Sequence, residues 1–224
     1  MTAGLRWVAA GALIASTASS ASAYCMPPPP KTCSLYFSSD AVFVAKVVKY
    51  DHTDDWEYER YDLQVSRILK GSVGSSTTVF TGNNTGRVNW GLGESYVVFA
   101  RRTNGRLVAG DGCGDQSDPS RKDRFLREIA ELKRSTSASI EGRVVREWDS
   151  GDGFEGFSIR VAGPSRQYTT KSGRDGYFNI RVPAGRYRVV IDPRSVAPGG
   201  NVNRVDLVAG QCAQFEFRAP EASR

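Results

Sequence analysis

The sequence predicts a mainly-β chain of two modules, a strand barrel closed by one helix and then a seven-stranded sandwich. Three observations lead there. Short β-branched apolar runs, divided by turn dipeptides, recur along most of the chain. Only the segment after Asp118 places apolar residues at helical spacing. A small polar stretch, STSAS at 135–139, splits the 224 residues into two pieces of roughly a hundred each.

Residues 1–23 read as a secretion signal. Arg6 supplies a basic start, residues 8–15 (VAAGALIA) are apolar but too short to span a bilayer, and Ala21-Ser22-Ala23 fits signal peptidase. The mature chain is expected to begin at Tyr24 and to be secreted or periplasmic. Tyr24 directly ahead of Cys25 argues against a lipid anchor. No later stretch is long and apolar enough for a membrane span.

In the first module, 41–50 (AVFVAKVVKY) is apolar enough for a central strand. Residues 57–69 alternate, with Tyr58, Tyr61, Leu63 and Val65 expected on one side, and Gly71 closes the strand. A short strand at 77–81 ends in the turn GNNTG, and 94–102 (ESYVVFARR) is the next strand. Asn104-Gly105 is a strong hairpin signal, and 107–109 starts the return. Asp118 can cap a helix whose first turn holds Pro119 and whose apolar stripe is Phe125, Leu126, Ile129 and Leu132.

After the linker every element is strand or turn. Runs at 140–146, 157–161, 168–171, 177–182, 187–191, 202–208 and 212–217 are separated by Gly-, Pro- and Asp-containing turns, the mark of a β-sandwich. Arg143, Arg160, Arg181 and Arg188 fall in these strands and are expected on solvated faces.

The formal charge of +6 becomes +5 once Arg6 is removed. Residues 24–134 hold 16 basic and 14 acidic side chains, and 135–224 hold 13 and 10. Without a concentrated basic stripe, nucleic acid is not an expected partner. Cys25, Cys33, Cys113 and Cys212 suggest disulfides in an exported chain, and spacing leaves all three pairings open. With one histidine, His52, and no CxxC pair, neither a metal nor another cofactor is expected.

Both modules resemble known families. Residues 24–134 resemble the netrin-like module of the tissue inhibitors of metalloproteinases. The matching features are Cys25 with Pro27, the run Ser39 to Val47 (SDAVFVAKV), Gly93 to Phe99 (GESYVVF), and Gly105-Arg106-Leu107 ahead of Cys113. Residues 140–218 resemble the carboxypeptidase regulatory-like domain, a transthyretin-like sandwich. Here the matches are Ile140-x-Gly142-x-Val144, Thr169-Thr170 with Gly173-x-Asp175-Gly176-Tyr177-Phe178, and Pro183-Ala184-Gly185-x-Tyr187. The resemblances imply an OB-type β-barrel with a C-terminal helix, a linker at 135–139, a seven-stranded Greek-key β-sandwich, and a tail at 219–224. They also imply a Cys25–Cys113 disulfide, leaving Cys33 and Cys212 joined across the modules or free.

In the inhibitor family the first cysteine of the mature chain sets its free amine and carbonyl on the target enzyme's zinc. That makes Tyr24, Cys25, Met26 and Pro27 candidate binding residues, and a zinc endopeptidase a candidate partner. The family's CxC pair is absent, however, and Tyr24 stands where the zinc would need room. Cys25 is therefore expected to act as a staple.

Catalytic chemistry is sparse. There is no G-x-S-x-G elbow, and His52 in DHTDDW reads as part of a solvated loop. Asp54, Asp55, Glu57 and Glu59 read as a surface run, 149–155 as a turn lacking the calcium-loop alternation, and Asn83-Asn84-Thr85 as turn chemistry. The function expected is that of a monomeric, non-catalytic binding protein contacting proteins or cell-envelope polymers. A metalloprotease inhibitor acting through 24–33 is the first alternative, and an enzyme of unrecognised class the second.

Overall fold

The computed structural model describes residues 31–53, 56–84, 87–110, 116–146, 153–191 and 202–219. The expected secretion signal at 1–23, the strip Tyr24, Cys25, Met26 and Pro27, Cys113 and residues 220–224 lie outside them.

The first module is a closed five-stranded barrel. Its strands are β1 (Ala41–His52), β2 (Tyr58–Lys70), β3 (Ser76–Gly82), β4 (Ser95–Thr103) and β5 (Arg106–Ala109). The order around the barrel is β1-β2-β3-β5-β4, with β4 closing on β1 and a parallel contact between β3 and β5 at Phe80 and Val108. This is the OB-type arrangement. Asn104 (φ 51°) and Gly105 (φ 78°) make the two-residue β4–β5 turn, whose positive dihedrals match strand twist.

Two helices flank the barrel. α2 (Lys122–Arg134) follows a 3-10 turn at Pro119–Arg121, where Asp118 Oδ1 accepts a hydrogen bond from the Ser120 amide. The other, α1 (Thr32–Ser38), is a helix that the sequence reading missed. Seven residues make too short a helix to stand on propensity, and α1 has no side-chain N-cap. It is fixed from outside: Lys70 Nζ donates to the carbonyls of Tyr36 (2.9 Å), Phe37 (3.1 Å) and Ser39 (2.7 Å), satisfying acceptors at the helix end.

These helices explain why β1 and β4 read as apolar runs. Phe43, Val47, Tyr61, Leu63, Val79 and Val98 fill the barrel interior. Val42, Val44, Val97 and Phe99 point outward, yet they are buried against Tyr36 of α1 and Phe125 and Ile129 of α2. In β2 the expected parity slips. Glu59, Tyr61 and Leu63 are buried, whereas Tyr58 lies half-exposed on the other side, edge-on to Phe80. Glu59, expected at the surface, is therefore inside.

The second module begins at once. β6 (Ser137–Arg146) already includes three residues of the expected linker, so the connection is only Ser135 and Thr136. The remaining strands are β7 (Ser158–Ala162), β8 (Gln167–Lys171), β9 (Tyr177–Pro183), β10 (Gly185–Ile191), β11 (Val202–Leu207) and β12 (Cys212–Ala219). They form a four-stranded sheet, β11-β10-β7-β8, and a three-stranded sheet, β12-β6-β9, in which β6 and β12 run parallel. The chain changes sheet four times, giving the Greek-key sandwich. Strict alternation buries Ile159 and Val161 on β7, Phe178, Ile180 and Val182 on β9, and Tyr187, Val189 and Ile191 on β10. Gly142 is required by packing, since a Cβ there would lie 2.2 Å from the Phe215 carbonyl and 2.8 Å from the Phe178 ring.

Candidate functional site

The site with the most chemistry is the seam between the modules. α1 lies against β12 as well as against α2, and the disulfide Cys33–Cys212 ties it there, joining residues 179 positions apart. Either side of that bond, Lys31 Nζ pairs with Glu141 Oε2 and Thr32 Oγ1 donates to Glu128 Oε2. The backbone amide of Lys31 donates to Gln214 Oε1 at 3.4 Å. Gly210 (φ 80°) lets the β11–β12 turn approach α2, since a Cβ there would sit 2.3 Å from the Leu132 carbonyl.

Glu141 is the unusual member. Strand alternation sends Ile140 and Val144 into the sandwich core and turns Glu141 and Arg143 towards the opposite face. The Glu141 side chain is only 6% exposed. Oε2 accepts from Lys31 and, at 3.5 Å, from Asn179 Nδ2, whereas Oε1 is buried without a partner. Glu141 and the two bonded sulfurs lie within 4.8 Å of one another. Sulfurs in a disulfide are not thiolates, so the trio does not make a metal centre.

Beside this cluster opens a cleft of about 780 Å³ between α1, α2 and the β6-β9 edge. Phe125, Leu132 and Ala138 supply apolar wall, and Arg124, Glu131 and Arg181 supply charge. A smaller hollow of about 350 Å³ shares Lys31 and Tyr177 with it and reaches Glu141 and Asn179. Apolar walls with a few placed polar groups suit a ligand of mixed polarity.

The structure sorts the arginines singled out in the sequence. Arg143 is not on a solvated face: it is 7% exposed, donates from Nε to the Asp175 carbonyl and lies over the Tyr177 ring. Arg181 is exposed in the cleft, and Arg160 and Arg188 stand on the outward face of the four-stranded sheet. Arg204 joins them there, opposite Arg188, a partnership visible only once strand register is known.

At the barrel mouth Arg87 Nη1 donates to Glu59 Oε1 at 2.9 Å. Tyr50, Tyr61, Trp90 and Tyr96 pack as neighbouring rings. Burial raises the hydroxyl pKa of Tyr61. His52 ends β1, exposed, with Nδ1 3.4 Å from Tyr50 Oη. No Ser–His or Cys–His pair occurs among the described residues, and none of the cysteines in them is free. Asn83 uses its amide within a turn, donating to the Trp56 carbonyl and accepting from Arg87. The calcium-like stretch falls mostly outside the described residues.

No family model matches the chain, and no curated protein does. Among solved structures it is similar to a DUF3823 family protein of Parabacteroides merdae, at 14% identity over 38% of this chain and 46% of that one, TM-score 0.30. It is similar to the TIE protein of Bacillus anthracis at 9% identity, over 81% of this chain and 31% of that one, TM-score 0.33. A third likeness is to the 5-hydroxyisourate hydrolase of Klebsiella pneumoniae, at 16% identity over 38% of this chain and 92% of that one, TM-score 0.29. The chain spans less than half the length of the first two. At such scores none of the three bears on function.

Proposed function

We propose that this chain is an exported binding protein in which a netrin-like barrel and a carboxypeptidase regulatory-like sandwich hold one ligand, a protein segment or an envelope polymer, in the cleft at their seam. The observation that carries this reading is the seam itself. A disulfide, an ion pair from exposed Lys31 to buried Glu141 and a close-packed glycine turn fix two β modules around an open cleft of mixed polarity. Rigid walls favour binding because little ordering remains to be done when the ligand arrives. A disulfide of this span fits an oxidising compartment, in agreement with the secretion signal read at residues 1–23.

The test is capture from native envelope and secreted fractions by immobilised mature protein, with Arg181→Glu and Ser139→Trp as cleft variants. A component retained by the native protein and lost from both variants supports the reading. Equal retention by all three proteins, or turnover of a substrate in hydrolase screening, overturns it.

A further inference from the structure

We infer that the outward face of the β11-β10-β7-β8 sheet is a second binding surface, built for an acidic polysaccharide whose charges are carboxylates or sulfates. The four strands carry Arg160, Lys171, Arg186, Arg188 and Arg204 against a single acid, Asp206. All six are exposed. Register places them on one face. Arg188 stands directly opposite Arg204, Arg160 opposite Val190, which follows Arg188 by two positions, and Lys171 opposite Ser158, which precedes Arg160 by two. Buried residues alternate with them, so the face cannot be turned inward.

A face selected only for solubility would pair unlike charges across strands, because like charges directly opposite one another are destabilising. Arg186 and Asp206 obey this rule, at 2.8 Å. Arg188 and Arg204 break it, and neither they nor Arg160 has a carboxylate partner among the described residues. The arginines of β10 and β11 line a shallow depression of about 740 Å³ that ends on Pro164 and Val208.

Unpaired guanidinium groups on neighbouring strands, about 4.8 Å apart, present fork-shaped donors to successive planar anions along an extended chain. The outward positions of these strands hold no aromatic ring on which bases could stack. Together with the cross-module disulfide, that favours an extracellular acidic glycan over nucleic acid. The surface is separate from the seam cleft, so either can fail alone.

The experiment measures binding of polygalacturonate and heparin oligosaccharides to the mature protein, with neutral dextran and single-stranded DNA in parallel. R188E/R204E is compared with R101E/R127E, which makes the same charge change at exposed barrel and α2 positions. At least one acidic glycan should bind, weakening as salt rises. R188E/R204E should lose about tenfold or more in affinity, while R101E/R127E keeps native affinity. R188Q/R204Q should show the same loss, which keeps the test in force if R188E/R204E folds poorly. Failure of both acidic glycans to bind, equal weakening in the two charge-reversed variants, or tighter binding of DNA overturns the proposal.

Discussion

Barrel and sandwich use the same strand chemistry but cover it differently. In the barrel, Ala41 to Ala45 on β1 and Tyr96 to Ala100 on β4 are buried on consecutive positions, because α1 and α2 lie over the outer surface. In the sandwich, β9 and β10 alternate buried and open along their length, and the four-stranded sheet keeps a bare outer face. An apolar run thus marks a strand covered twice, and an alternating one a strand covered once. The bare face is where the sandwich can carry charge, and the covered one is what the barrel needs two helices to hide.

The largest effect should come from the bond that makes the two modules one body. Cys33–Cys212 closes a span of 179 residues, for which chain entropy predicts about 5 kcal/mol. In C33S/C212S, calorimetry should show the barrel and sandwich melting in two transitions, where the native protein melts in one. A single unchanged transition would mean that packing at the seam, not the crosslink, couples them. Cutting the chain within the expected linker at 135–139 would also part Cys33 from Cys212 and cut into or just ahead of β6, which starts at Ser137. Each module made alone therefore loses the seam.

Next in size are the cores. Phe99 packs edge-on to Phe125 between barrel and α2, at 5.3 Å between ring centres, and Phe217 is fully buried in the sandwich. Phe99→Ala and Phe217→Ala should each cost about 3–5 kcal/mol. In the crosslink-free background, each should lower only its own module's transition. Cross-talk there would sharpen the comparison by showing that the modules share more than a disulfide.

How much could be read in advance follows from the same contrast. The sandwich strands were legible because alternation is local. The barrel strands were legible as runs, although the reason for the runs was not. α1 escaped because TCSLYFS is shorter than two helical turns and draws its stability from Lys70, more than thirty positions away. Glu59 was misplaced because a carboxylate in an acidic run reads as surface, and only the fold brings Arg87 to it. The seam cleft and the Arg188–Arg204 juxtaposition depend on register and module packing, which leave no local mark. The N-terminal strip Tyr24 to Pro27 and the Cys25–Cys113 pairing fall outside the described residues.

The support of α1 by β2 gives the third prediction. Lys70→Met keeps the aliphatic stem but removes donors to three carbonyls, so it should cost about 1–3 kcal/mol, confined to the barrel. Burial already lowers the pKa of Lys70, opposed by Asp40. The native barrel should therefore gain stability as pH rises into the lysine range, where the unfolded chain still holds the proton that the folded chain has released. Lys70→Met should flatten that gain.

The smallest effect tests whether surface ion pairs separate the modules as burial does. On β2, Asp62 accepts from Thr78 Oγ1 at 2.7 Å and from Arg60 at 3.1 and 3.2 Å. The Thr78 hydroxyl first, and Arg60 after it, hold the Asp62 carboxyl below its usual pKa, against the pull of partial burial. A depressed folded pKa stabilises above the ordinary aspartate range and is lost as pH falls through the folded value. Asp62→Asn should thus cost the barrel less than about 1 kcal/mol at neutral pH, since Arg60 is 43% exposed. The difference from native should begin to shrink as pH falls below about 4 and vanish only below the depressed folded value. Asp206 on β11 makes a comparable pair with Arg186, but both side chains stand more than 70% open. Asp206→Asn should therefore leave the sandwich transition where it is. Paired acid titrations of the two variants check this, and an equal response from both would erase the distinction between the half-covered strand and the bare one.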